Sequence, residues 1–158
     1  MAKHACTSRA NARMSELHAI VGRVQLKRIE EFISWRAQVA EKYTQLLADC
    51  PWATPVLPMY KSSWYKYAII LHEEINRDVI KASMLADEVH LGGEIYDRPL
   101  HKQPVLAQYY QGQSFPKAED ICARHICLPI YYGMREDEVE FVIKSLNQAF
   151  RKVGSLKR

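Results

Sequence analysis

A chain of 158 residues that is 48% apolar and 25% charged has the length of one domain and a globular composition, able to bury roughly 70% of its unfolded surface. Its longest apolar run, Tyr67 to Leu71, is far short of the ~20 residues that cross a bilayer, and no apolar stretch follows Met-Ala-Lys-His. Neither a membrane role nor secretion is expected, a cytoplasmic location is, and the charge of +4 comes with no nucleic-acid motif, which argues against a nucleic-acid partner.

Met1 to Ala10 is polar and shows no periodicity. From Ser15, a plausible N-cap, apolar residues recur at Leu17, Ile20, Val21, Val24, Ile29, Phe32, Ile33, Val39, Tyr43, Leu46 and Leu47, and Cys50-Pro51 ends the pattern. Steps of three and four keep one helix face apolar. As a single rod the segment would be about 50 Å long, so it must bend or run along a partner. The chain is thus expected to divide into an irregular segment 1–14, a long linking helix 15–50 and a small α/β domain 51–158.

Pro51, Pro55 and Pro58 make the next stretch an extended connector, with a short edge strand expected at Val56-Leu57. Trp64 to Leu71, rich in aromatic and β-branched residues, predicts a central strand. Asn76 caps a helix that continues through Val89, and Ile95-Tyr96 reads as a short strand. Pro104 suits the first turn of a short helix through Tyr110, a second short helix covers Lys117 to Arg124, and Ile126 to Ile130 is an edge strand interrupted by Pro129. Glu136 to Lys152 forms the last helix, acidic at its start and basic at its end, as the macrodipole favours. The order predicts an α/β fold of helices against a small sheet.

Chemistry concentrates between Gly92 and Val105, where two adjacent glycines and two prolines hold a loop that presents Tyr96, His101 and Gln103. These side chains can exchange hydrogen bonds with a polar ligand. The cluster Cys122-Ala-Arg-His125-Ile-Cys127 lacks a C-x2-C knuckle and a second pair nearby, so no metal is expected, and the cysteines are read as reduced thiols.

Four segments in order, Asn11 to Glu16, Gly92 to Val105, Phe115 to Asp120 and Leu128 to Tyr131, carry a resemblance to the C-terminal part of the pyridoxal-phosphate-dependent sugar aminotransferases of the DegT/DnrJ/StrS family. The resemblance implies the small C-terminal domain of a fold-type I transferase and the cofactor pyridoxal phosphate (PLP). It also implies a nucleotide-linked keto sugar as substrate and a homodimer whose subunits complete each other's sites. Asn11 matches the position that reaches the cofactor phosphate of the neighbouring subunit, although it could equally serve to start the helix. Tyr96 and His101 match positions near the sugar or cofactor, with binding the role expected of His101. Lys66 stands where many members carry histidine, and Arg135 where a capping threonine is common.

In the family the Schiff-base lysine follows Ser-Phe and precedes Gly-Glu-Gly-Gly, and no lysine here has those neighbours. No catalytic residue is therefore assigned, PLP is not expected to attach covalently to this chain alone, and a missing N-terminal catalytic half is implied as partner. The competing expectation is a non-enzymatic interaction module. Its helix face would drive dimerisation, and Val24→Asp or Phe32→Asp would weaken it.

Overall fold

The computed structural model describes residues 13–92 and 97–155. Among these, β1 (Ala53–Pro55), β2 (Tyr67–Leu71) and β3 (His125–Leu128) form one antiparallel sheet in that order. Around it lie α1 (Glu16–Leu26), α2 (Ile29–Leu46), α3 (Arg77–Ala86), the short α4 (Pro104–Ala107), α5 (Pro116–Arg124) and α6 (Glu136–Ser155), with a 3-10 turn at Leu100–Lys102. This is the α/β arrangement expected from the sequence.

β2 is central, paired with both β1 and β3, and its burial alternates: Tyr67, Ile69 and Leu71 are fully buried while Ala68 and Ile70 are half-buried on the other face. The register sets Ala53 opposite Leu71 and Tyr67 opposite Leu128. β1 lies earlier than the strand expected at Val56-Leu57. The His72 N–H donates to the Trp52 carbonyl at 2.8 Å and the Val56 N–H to Ala68 at 3.0 Å, so the pairing is spent by Val56 and Leu57 faces solvent. β3 is an outer strand, as Pro129 suggested, but Gly92 bridges its far side opposite Cys127. The expected strand at Ile95-Tyr96 lies outside the described residues.

The core gathers Val39, Tyr43 and Leu47 at the end of α2, Ile80 and Met84 of α3, and Val139, Leu146 and Phe150 of α6 against the buried face of the sheet. α3 begins where Asn76 predicts, its side chain accepting from the N–H groups of Asp78 and Val79 at 2.9 and 3.3 Å. α6 starts without the threonine cap. The Glu138 carboxylate reaches back to the Arg135 N–H at 2.8 Å and supplies the returning half of a capping box.

The long helical segment is interrupted at Lys27-Arg28, between α1 and α2. Ser15 does cap α1, accepting from the His18 N–H, but no residue of α1 is buried. Arg28 holds the break: its guanidinium pairs with both oxygens of Glu31 at 3.0 and 3.2 Å and lies over the rings of Phe32 and Tyr132 at 4.9 and 5.5 Å. Tyr132 donates to Glu31 and meets Phe32 and Trp35 edge-on, while the Trp35 indole N–H donates to the Met134 carbonyl at 3.0 Å. Phe32, placed by the sequence on the docking face with Val24, is half-buried within this surface cluster.

Candidate functional site

The segment 97–103 meets the start of α5 through one carboxylate. Pro99 enters the 3-10 turn in extended conformation and places His101 inward, buried to 8% exposure. Phe115 and Pro116 begin α5, and Glu119 in its first turn points back across both segments. Glu119 Oε1 lies 3.1 Å from His101 Nε2 and accepts from the Ser114 hydroxyl at 3.1 Å and the Phe115 N–H at 3.0 Å, while Oε2 accepts from Lys102 Nζ at 2.5 Å. The His101 ring also lies against Phe115 at 4.8 Å, with Tyr110 edge-on beyond it at 6.1 Å. The side chain of Gln103 is turned to its own loop and donates to the Arg98 carbonyl at 3.1 Å.

The Lys102 ammonium, then the Phe115 N–H and the Ser114 hydroxyl, hold the Glu119 carboxyl down at about 2, against an ordinary 4.5. A carboxyl depressed on folding stabilises the fold above its unfolded pKa and loses that contribution as pH falls through the folded one. The clasp is therefore expected to be complete above about pH 4.5 and to open between there and about pH 2. Acid titration followed by circular dichroism should show Glu119→Gln with a shallower loss of stability across that window than the wild type. Equal slopes would remove Glu119 from the account.

Of the residues the sequence singled out, His101 is placed in this clasp, whereas Asn11 and Tyr96 lie outside the described residues. Arg13 is exposed before α1, and Lys66 is half-buried just ahead of β2. The cysteine cluster is taken up by packing. Cys122 and Cys127 are buried, burial pushes the Cys122 thiol up, and His125 Nδ1 lies 2.7 Å from the Ile121 carbonyl. Glu119 lies within the segment Phe115 to Asp120, whose sequence assigns it no role. The only local signal was a glutamate in the first turn behind Phe-Pro.

Two open grooves flank α2. One, of about 430 Å³, runs past Trp35, Lys42, Met134 and Glu136, and the other, of about 460 Å³, past Glu30, Ser34, Tyr60, Lys61 and Trp64. Their lysines are engaged: Lys42 lies 2.5 Å from Glu136 and 3.5 Å from Glu140, and Lys61 lies 2.8 Å from Glu30.

A model of the DegT/DnrJ/EryC1/StrS aminotransferase family matches residues 3–147. Over 138 residues the chain is 34% identical to the dTDP-4-dehydro-2,3,6-trideoxy-D-glucose 4-aminotransferase of Saccharopolyspora spinosa, covering 85% of this chain and 34% of that protein. Among solved structures it is similar to the aminotransferase TlmJ from Streptoalloteichus hindustanus, with a TM-score of 0.76 and 26% identity over 87% of this chain and 36% of that one. The Helicobacter pylori aminotransferase PseC, involved in the biosynthesis of pseudoaminic acid, shares the fold with a TM-score of 0.82 at 23% identity, over 90% of this chain and 39% of its own. The chain therefore spans between 34% and 39% of the length of these relatives. With the match running from residue 3 to residue 147, this chain belongs to the DegT/DnrJ/EryC1/StrS aminotransferase family.

Proposed function

We propose that this chain is the small C-terminal portion of a PLP-dependent nucleotide-sugar aminotransferase, acting in a cytoplasmic dimer with a catalytic portion that supplies the lysine. The observation that carries the reading is the family match over residues 3–147, joined to a length about a third of the relatives' own. In this reading 15–50 is the linking helical segment and 51–158 the small domain. The Asn11 carboxamide donates to the cofactor phosphate of the neighbouring subunit, and Tyr96 and His101 meet the sugar.

PLP, the family's cofactor, supplies an electron sink for amino transfer. Lys42, Lys61 and Lys102 do not fit its covalent anchor. An amine that condenses with an aldehyde must be free to attack, and these three are held by carboxylates of Glu136, Glu30 and Glu119 at 2.5, 2.8 and 2.5 Å. For Lys42 the hydrogen bond to Glu136, opposed by burial, raises the pKa. In this reading the chain's own part in the reaction is to bind, orient and exclude water around a group held elsewhere.

Incubating the purified chain with equimolar PLP and then borohydride is expected to leave no single lysine labelled stoichiometrically. Adding a protein portion that carries the family's Gly-Glu-Gly-Gly lysine segment should restore bound cofactor. A stoichiometric reduced adduct on one lysine of this chain alone, found by peptide mass, would overturn the reading.

A second reading, an interaction module derived from the family, is favoured by one specific observation: α1 buries none of its residues and exposes Leu17, Ile20, Val21 and Val24 together.

A further inference from the structure

We propose that Glu119 is a positioning residue of this site: it holds the His101 ring with a proton on Nε2, so that whenever the ring is neutral Nδ1 is the acceptor, offered to a hydroxyl of the sugar. The assignment of the hydroxyl rests on the substrate reading above, whereas the lock itself does not.

The geometry restrains the ring in two directions. Phe115 lies against it at 4.8 Å, and the carboxylate takes its Nε2 edge at 3.1 Å. Only 7% of the His101 side chain and 27% of the Glu119 side chain reach solvent, so neither is free to turn away without breaking the packing around it. The carboxylate is in turn fixed by partners from both segments, Lys102 on one side and Ser114 and the Phe115 N–H on the other. A shift of Glu119 would break four contacts together.

The proton's position follows from the acceptor. An ionised carboxylate has no hydrogen to donate, and Lys102, Ser114 and Phe115 keep Glu119 ionised. The hydrogen between Oε1 and Nε2 therefore belongs to Nε2, and in a neutral imidazole the other nitrogen is then an acceptor.

That choice selects a ligand group. A neutral Nδ1 acceptor can take a hydrogen bond from a hydroxyl. It cannot take one from a fully ionised phosphate, which only accepts. Nor is Lys102 beside it an open anion site, since its ammonium already sits 2.5 Å from Glu119 Oε2. With the His101 ring neutral, its Nδ1 can therefore meet a sugar hydroxyl and not a fully ionised diphosphate oxygen.

The test reads the ring nitrogens of His101 by long-range proton–nitrogen NMR on the full chain above about pH 8, where an ordinary imidazole is neutral. The form protonated at Nε2 should exceed the other by about tenfold or more, as a charge-assisted hydrogen bond would produce. Glu119→Gln, whose amide can either accept or donate, should reduce that ratio at least about threefold. Ser114→Ala, which removes a different donor to the same oxygen, should leave it unchanged. A wild-type ring protonated mainly at Nδ1 overturns the proposal whether or not the glutamine variant folds. So does a glutamine variant that keeps the wild-type ratio, or a shift caused by Ser114→Ala. No ligand is present in this measurement, so its failure leaves the substrate reading standing, and failure of the borohydride test leaves the lock in place.

Discussion

Tyr67→Ala is expected to destabilise the chain by about 3–5 kcal/mol, a large share of the roughly 5–15 kcal/mol that holds a domain of this size together. Tyr67 is fully buried in the central strand, its ring 5.1 Å from Tyr43 and 5.7 Å from Trp64, in a near-parallel stack with the latter. Removing it leaves a cavity bounded by two rings on different elements, which cannot both close on it. It also releases Trp64, whose φ of 47° is a strained left-handed conformation for a bulky residue, held in part by that stack. Tyr67→Phe separates ring from hydroxyl. The phenol is 2.8 Å from Thr44 Oγ1, but Thr44 also donates to the Ala40 carbonyl at 2.8 Å, so losing the hydroxyl strands no partner and should cost only about 1 kcal/mol. Urea melts followed by tryptophan fluorescence would give both values. A Tyr67→Ala variant within about 1 kcal/mol of wild type would mean that the sheet is not where the stability of this fold resides.

The parts of this fold legible in the sequence are those set by neighbours close along the chain. β2 follows from the aromatic and β-branched run that ends at Leu71, α3 from Asn76 acting on the N–H groups of Asp78 and Val79, and α4 from Pro104. What escaped depends on distant partners. The break at Arg28 is met by Tyr132, 104 residues away, and the ring of Tyr132 also packs edge-on against Phe32. Glu119 escaped in the same way: within its own helix it is an ordinary first-turn acid, and only a residue 18 positions earlier makes it the partner of His101. The His101 position was visible from composition and order, while what holds its ring was not.

Ile20→Asp combined with Val24→Asp should weaken association through α1 by at least about a hundredfold while leaving the melting temperature of the folded chain close to wild type. The first half follows from what an interface would lose. Each side chain contributes about 1.5–3 kcal/mol when fully buried, and each new carboxylate must be desolvated or left unpaired. In a two-fold interface every substitution is met twice. The second half follows from the present exposure of the two positions, 60% and 55%, since surface substitutions away from special features stay within about 0.5 kcal/mol. Val24→Asp thus remains a clean probe of the face, but Phe32→Asp does not, because it would also dismantle the Arg28 and Tyr132 cluster. Sedimentation of the chain alone measures self-association, and sedimentation with the lysine-bearing portion measures docking to it. If the double variant loses self-association, α1 joins two copies of this chain. If the wild type is monomeric alone and the variant fails only to join the catalytic portion, the stripe belongs to the interface between the two parts of one enzyme. A variant that associates like wild type in both experiments would show that the exposed stripe of α1 is not a docking face.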